Sequence, residues 1–290
     1  MILVTGVTGT VGRGVLEEVR KSGSPFKALY RSEQDARKTL AGGTAVVGDF
    51  SSKASLHGAL QGVDTVFLVC SPTPDLVEFE SNVIDACLEN GVGHVVLNSA
   101  LGAANYPKSF PSWHRSVEDK LKATRLAHTI LRPNSFMQNI LAYLAPSIRA
   151  QGAFYAAMGN SRISFLDVRD IAAVVGMILT QPAAHIGKTY ELNGPEAVSY
   201  PELAQRISLV ASREVKFIDI PESAQRKSML ELGMPVWQVD ALLDLQQYYV
   251  AGQGGEVTDV LPQLLGRAPV TLQYFLQEFR EEFHKQAASA

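Results

Sequence analysis

A chain of 290 residues, 46% of them hydrophobic, is long enough for one large α/β unit or for such a unit with a smaller appended lobe. Its formal charge of −3 supplies no basic field of the kind that direct nucleic-acid binding requires, so no nucleic-acid partner is expected. The two cysteines, Cys70 in a strand-like run and Cys87 on a helix-like one, read as buried free thiols of a reducing compartment. The strand-like ILVTG at the start leaves no place for a secretion leader. No apolar run approaches the roughly 20 residues of a membrane span, and a cytoplasmic protein without a membrane partner is expected.

In chain order, the apolar runs ILVTG, FKALYR, TAVVGD, TVFLVC, HVVLNS and HTILRP alternate with amphipathic segments of helix length. Strands that are apolar throughout and separated by helices are what a parallel sheet covered on both faces requires. Helices are expected near residues 10–22, 33–40, 53–60, 75–90 and 113–126. After Arg132 the pattern changes. SFMQNILAYLAPSI reads as a helix, GAFYA and RISFL as short strands, DVRDIAAVVGMILT as a helix and KTYELNG as a strand. From Tyr200 onward helices dominate, interrupted by VKFIDI. The expected fold is a Rossmann-type doubly wound α/β sheet with a smaller, mostly helical C-terminal lobe. Its dinucleotide domain would span residues 1–150, with 163–182 packing back onto it, and a substrate-side lobe would span 183–290. The apolar faces of the helices expected at 236–250 and 271–284 serve either the core or a homodimer.

The segment Thr5-Gly6-Val7-Thr8-Gly9-Thr10-Val11-Gly12 follows the first strand and opens the first helix. A turn without side chains there brings the backbone close to a pyrophosphate, whose charge faces the free N–H groups of the helix. Gly6 would make the tight turn, Gly9 the close approach and Gly12 the helix-to-strand packing. NAD enzymes place an acidic residue roughly 20 residues further on, against the adenosine ribose. Arg31 and Ser32 stand here instead, and a guanidinium at this point suits a 2′-phosphate. NADP is therefore favoured over NAD, unless Arg31 is a solvated strand-end charge and Glu33 meets the ribose.

The glycine spacing resembles the short-chain dehydrogenase/reductases, particularly their atypical branch. Gly48-Asp49-Phe50, Asn98-Ser99-Ala100, the run Thr129 to Asn134 and the run Phe165 to Ala172 resemble the NmrA-like family, and within it the bacterial NAD(P)H-dependent reductases of quinones and of azo or triphenylmethane dyes. The likeness covers nearly the whole chain. It implies that Asp49 and Phe50 border the adenine, although Asp49 equally suits a cap for the loop before the next helix. It also implies that Cys70-Ser71-Pro72, Ser99 and Ala100 border the cofactor, together with Pro133, Asn134 and Ser135.

Active short-chain enzymes carry a Tyr as general acid or base and a Lys four residues later on the nicotinamide ribose. The resemblance places Phe110 at the Tyr, His114 at the Lys and Glu118 at a Glu often found after it. Phe110 has no proton to transfer, and Tyr106 is the substitute within reach. Glu118 suits equally a pair with Lys122 at i+4. His114 is either a neutral donor to the ribose or a structural polar residue. Alcohol oxidation and sugar epimerisation need a base at the carbon bearing the hydroxyl. Hydride delivery to a conjugated acceptor needs mainly alignment and a dry aromatic pocket. Phe110, Trp113, Tyr106, Phe136, Met137 and Phe165 are the candidate walls, about half of them plain packing. Two functions follow from the resemblance. One is an NADPH-dependent reductase of quinones or similar conjugated small molecules. The other is a non-catalytic NADP-binding redox sensor that acts through a partner protein. Neither needs a metal.

Overall fold

The computed structural model describes residues 1–39 and 42–284. Contacts divide the chain into two compact units, Met1–Pro133 with Val168–Glu191, and Asn134–Asp167 with Leu192–Ala290. The first unit therefore closes at Pro133 rather than near 150. The reason lies in the ladder: Pro133 is the last residue of its strand, and the segment after it bonds elsewhere. Asn134 N–H donates to the Leu192 carbonyl and Met137 N–H to the Leu166 carbonyl, at 3.0 and 2.9 Å.

The first unit begins β1 (Ile2–Val4), α1 (Thr10–Lys21), β2 (Phe26–Tyr30), α2 (Glu33–Thr39), β3 (Thr44–Val47) and α3 (Lys53–Leu60). It continues with β4 (Thr65–Leu68), α4 (Leu76–Glu89), β5 (His94–Asn98), α5 (Ser109–Lys122) and β6 (Ala127–Pro133). In the second unit follow α6 (Ala145–Gln151), β7 (Ala153–Ala156) and β8 (Arg162–Ile163), before α7 (Val168–Thr180) and β9 (Thr189–Leu192). The chain ends with β10 (Val198–Ser199), α8 (Tyr200–Ala211), β11 (Lys216–Asp219), α9 (Glu222–Glu231), α10 (Val236–Val250), α11 (Val260–Leu265) and α12 (Leu272–Glu278).

Seven strands form one sheet in the order β3-β2-β1-β4-β5-β6-β9, with parallel ladders from β3 through β6. The strand order reverses between β1 and β4, the switch point at which a doubly wound sheet offers a crevice. The strands β1, β4 and β5 are buried along their whole length and read as mainly apolar runs. Leu56, Leu60, Leu76, Ile84, Val117 and Leu121 from α3, α4 and α5 share one core cluster with strand residues such as Val66 and Val95. On the other side α1 and α7 approach closely because both carry glycine: a Cβ on Gly14 would lie 3.0 Å from the Ala172 methyl, and one on Gly176 2.8 Å from Glu18 Cβ.

Four helices differ from expectation, one of them the helix expected at 271–284, which is found as α12 and stops at Glu278 ahead of a separate 3-10 turn at Arg280–Phe283. The helix expected at 33–40 is found to Thr39, and Leu40 lies outside the described residues. The one expected at 113–126 starts and stops four residues earlier, as α5, because Pro111 occupies its first turn, where an N–H has no intrahelical partner in any case. The expected helix after Ser135 is split into a π turn at Ile140–Leu144 and α6. Pro146, at the start of α6, has no N–H to donate into the turn before it. Among the described residues no helix is long and apolar enough to cross a membrane.

The second unit mixes helices with two short two-stranded sheets: β8 pairs antiparallel with β10, and β7 pairs parallel with β11. Its centre is polar as well as apolar. The buried Asn134 amide donates to Ser164 Oγ, Asn193 Oδ1 and the Gly254 carbonyl, at 2.9, 3.0 and 2.9 Å. Gly194 is required there, since a Cβ would stand 1.7 Å from the Phe165 carbonyl oxygen.

Candidate cofactor and active site

The glycine-rich turn has the geometry its spacing implies. Gly6 takes a left-handed φ of +61°, and a Cβ on it would stand 2.6 Å from Val69 Cγ1. A Cβ on Gly12 would lie 2.2 Å from the Gly6 carbonyl oxygen, so Gly12 sets how closely α1 approaches the turn. Gly9 differs from both. Its backbone is extended, a Cβ there would meet only the Gly6 carbonyl at 3.3 Å, and it serves as the N-cap of α1 without any side-chain cap. Thr8, Gly9 and Thr10 are exposed while Val11 and Gly12 are buried. A side-chain-free rim of backbone N–H groups at a helix start is a fit for a pyrophosphate.

Thr5 was not singled out by its sequence context, yet it fixes this turn. Its buried hydroxyl donates to the Phe67 carbonyl at 2.9 Å and accepts from Val69 N–H at 3.0 Å, locking the end of β1 to the end of β4.

Arg31 lies exposed just beyond β2, and its charge helps hold the Asp49 carboxyl below the ordinary range. The larger causes of that shift are the backbone N–H and hydroxyl of Ser51, each 2.8 Å from Asp49 Oδ1. Asp49 is thus the loop cap, with Arg31 nearby. Ser32 caps α2, accepting from Asp35 N–H and donating to the Asp35 carboxylate at 2.7 Å. Glu33 is exposed in the first turn of α2. Phe50 packs partly on the main core, and its carbonyl accepts from Asn82 at 2.9 Å. In the turn after β4, Cys70 is half-buried and Ser71 and Pro72 are exposed. Both cysteines are free, and burial pushes the thiols of Cys70 and Cys87 up to about 12.

The segment after β5 is tied to α5. Ser99 donates its hydroxyl to Glu118 at 2.7 Å, so that hydroxyl is already engaged. Ala100 is half-buried at the head of a turn whose Ala104 carbonyl accepts from Arg115 at 2.6 Å. Tyr106 closes this turn, half-buried, with its N–H on the Gly102 carbonyl. Burial would raise the Glu118 carboxyl, but hydrogen bonds from Arg132, Ser99 and Lys122 and the Arg132 charge bring it down to about 2. The pair with Lys122 is present at 2.9 Å, and Arg132 is the partner that the i+4 spacing could not reveal.

His114, one turn before Glu118, is buried, and burial pushes it down to about 4 against the pull of Glu118. The ring is therefore neutral near pH 7, and its buried Nδ1 has no hydrogen-bond partner. Phe110 and Trp113 meet edge to face with ring centroids 5.3 Å apart, and Trp113 packs on the main core. Both are packing residues of the first unit in this structure. Pro133 is buried at the end of β6.

In the second unit, Met137 and Phe165 are buried at 0% and 3% exposure, which makes them core. Phe136 is half-buried and bridges Leu166 through its backbone. Ser135, also half-buried, hydrogen-bonds the Tyr249 hydroxyl, whose pKa burial pushes well above the ordinary tyrosine range.

The fold and this glycine-rich site define a class, the dinucleotide-binding α/β proteins. The chain belongs to the NmrA-like family, whose model matches residues 1–262. It is 36% identical to an NAD(P)H azoreductase of Xenophilus azovorans, over 98% of this chain and 99% of that one. It is 32% identical to a (4-alkanoyl-5-oxo-2,5-dihydrofuran-3-yl)methyl phosphate reductase of Streptomyces griseus, over 98% and 99%. Among solved structures it resembles an NADPH-dependent quinone oxidoreductase of Escherichia coli complexed with NADPH, with a TM-score of 0.89, 28% identity and coverage of 96% and 99%.

Proposed function

We propose that this chain is an NADPH-dependent reductase that delivers hydride to a quinone or a similarly conjugated small molecule without the usual Tyr and Lys pair. The observation that carries the reading is the exposed Arg31 at the end of β2, beside a side-chain-free strand-to-helix turn at the reversal point of the sheet. Names of relatives agree in kind: an azoreductase, an oxo-dihydrofuran reductase and a quinone oxidoreductase.

Bound NADPH supplies the hydride. The chain's own residues bind and orient. Gly6, Gly9 and Gly12 shape the turn for the pyrophosphate, with Thr8, Thr10 and Val11 offering backbone N–H groups. Arg31 grips the 2′-phosphate, and Ser32, Asp49 and Phe50 shape the adenine end. The Cys70-Ser71-Pro72 turn, Ala100 and the neutral His114 hold the ribose and nicotinamide side. On the acceptor side, within the first unit, the half-buried Tyr106 is the group left open enough to serve. Phe110 carries no acid, so the reduced acceptor takes its protons from water. That chemistry suits quinone oxygens and does not suit an alcohol, whose oxidation needs a positioned base.

The test is turnover of the purified protein with NADPH and a panel of quinones and azo dyes, followed by loss of the reduced nicotinamide absorbance. Consumption with at least one acceptor is expected. Measurable NADPH binding without consumption by any of them would replace this reading with the NADP-binding sensor.

A further inference from the structure

We propose that Arg115 is a positioning residue for the acceptor: from α5 it clasps the turn that carries Tyr106, and the acceptor binds more weakly when that clasp is removed. The inference rests on the reductase reading above and adds a residue to its acceptor side, within the first unit.

The turn stands at the carboxyl end of β5, on the edge of the sheet where doubly wound proteins bind their ligands and next to the reversal between β1 and β4. Its start is fastened to β6, for Ser99 N–H donates to the Leu131 carbonyl at 2.7 Å and Leu101 N–H to the Pro133 carbonyl at 3.0 Å. Beyond Leu101 the chain leaves the sheet. Gly102 takes a left-handed φ of +88°, and its carbonyl accepts from the N–H groups of Asn105 and Tyr106, at 3.0 and 2.8 Å. The turn thus closes like the end of a short helix, with Tyr106 half-buried as its last residue.

The next carbonyls of that turn are met from α5. Arg115 Nη1 donates to the Ala104 carbonyl at 2.6 Å and, more distantly, to that of Ala103 at 3.4 Å. A cation on the last carbonyls of a helical turn is a favoured arrangement. Asp119, one turn further along α5, holds the same guanidinium at Nε, 3.1 and 3.0 Å from its two oxygens, so the fork is aimed before it meets the turn. Arg115, Asp119 and Ala104 are all exposed, and water can replace Arg115 at the Ala104 carbonyl. An exposed group of this kind contributes little to stability. What it determines is where the turn sits, and with it Tyr106. Pro107, which follows, has no N–H with which to fix the chain from the other side.

The test is steady-state kinetics of the full chain with NADPH and the fastest quinone of the panel above, for the wild type, Arg115→Ala, Arg115→Lys, Tyr106→Ala and the double alanine variant. Arg115→Ala should raise the acceptor KM about tenfold, with kcat and the NADPH dissociation constant within about threefold and the melting temperature within a few degrees. Arg115→Lys keeps a cation without the fork and should recover part of the loss. Tyr106→Ala should weaken the acceptor by itself and add little to Arg115→Ala, as expected when one residue acts through the other. Amide hydrogen exchange reads the clasp without an acceptor: in Arg115→Ala the Asn105 and Tyr106 amides should exchange at least about tenfold faster, while those of Ser99 and Leu101 keep their protection. An unchanged acceptor KM in Arg115→Ala or in Tyr106→Ala, additive losses in the double variant, or unchanged exchange at Asn105 and Tyr106 would each overturn the role of Arg115 and leave the reductase reading standing. A wild type that reduces no acceptor would overturn that reading and this inference together.

Discussion

Glu118 receives the Arg132 guanidinium as a fork, Nε on Oε1 at 2.8 Å and Nη2 on Oε2 at 2.6 Å, with both side chains largely out of solvent. The third nitrogen of Arg132, Nη1, reaches Glu191 at 3.2 Å, so the pair ties α5 and β6 to β9 inside the first unit. The arrangement is bidentate and hydrogen-bonded on both oxygens, the geometry in which an ion pair offsets its desolvation.

Removing one partner should therefore cost far more than a surface ion pair would. Glu118→Gln leaves the Arg132 guanidinium without its buried counter-charge and with only the half-exposed Glu191, and a loss of about 3 kcal/mol is expected in denaturant unfolding. The sign of the pH dependence follows from the lowered carboxyl: the folded value of about 2 lies below that of the unfolded chain, so the stability is fully present above roughly pH 4.3 and is lost as pH falls toward 2. Glu118→Gln should flatten that acid limb. An unchanged limb would mean that other carboxylates carry it.

The two glycines of the cofactor turn should separate folding from binding. Gly12→Ala forces a methyl to within 2.2 Å of the Gly6 carbonyl oxygen, and unfolding at lower temperature is expected whatever the ligand. Gly9→Ala meets nothing closer than 3.3 Å and keeps an allowed backbone, so the melting temperature should stay within a few degrees while NADPH binding weakens at least tenfold. Equal losses of stability in both variants would remove Gly9 from the pyrophosphate.

Arg31→Asp replaces a cation at the end of β2 by a carboxylate beside Asp49. NADPH affinity should drop on the order of tenfold to a hundredfold, the worth of a charged hydrogen bond, with NADH changed little. Dissociation constants for both nucleotides check this, and a parallel loss would place Arg31 away from the 2′-phosphate.

His114 is neutral down to about pH 4, so no part of a pH–rate profile between 5 and 8 should belong to it. His114→Phe is expected to raise the dissociation constant for NADPH several-fold by removing the unpaired Nδ1. It should also reduce the loss of stability as pH falls from about 6.5 to 4, the interval in which the unfolded imidazole takes a proton and the folded one does not. Unaltered binding would leave His114 a structural residue.

Much of the fold was legible because its signals are local. β4 and β5 are apolar on both faces and read as runs of Val, Phe and Leu without alternation; only a sheet covered on both sides has use for such strands. Glycines at positions 6, 9 and 12 announce a strand-to-helix turn for the same reason. Distance along the chain concealed the rest. Nothing near Glu118 in sequence pointed to Arg132, Thr5 looked like any strand-end threonine, and Arg115 looked like a solvated helix charge. The large apolar residues show the limit from the other direction: Trp113, Met137 and Phe165 carry the right composition for a pocket wall, yet the structure spends them on packing.

Sequence alone determined the doubly wound sheet, the position of the dinucleotide turn, the basic residue at the end of β2 and the absence of an acid at Phe110, because each depends on residue type and short-range spacing. Tertiary structure alone decided that the first unit ends at Pro133, that α5 begins at Ser109, and that Glu118 is charged while Glu80, buried on α4 with no hydrogen-bond partner, is not. Two glutamates on helices look alike in a sequence. What separates them is whether folding brings a guanidinium or only apolar side chains against the carboxyl, and that is set by residues many positions away.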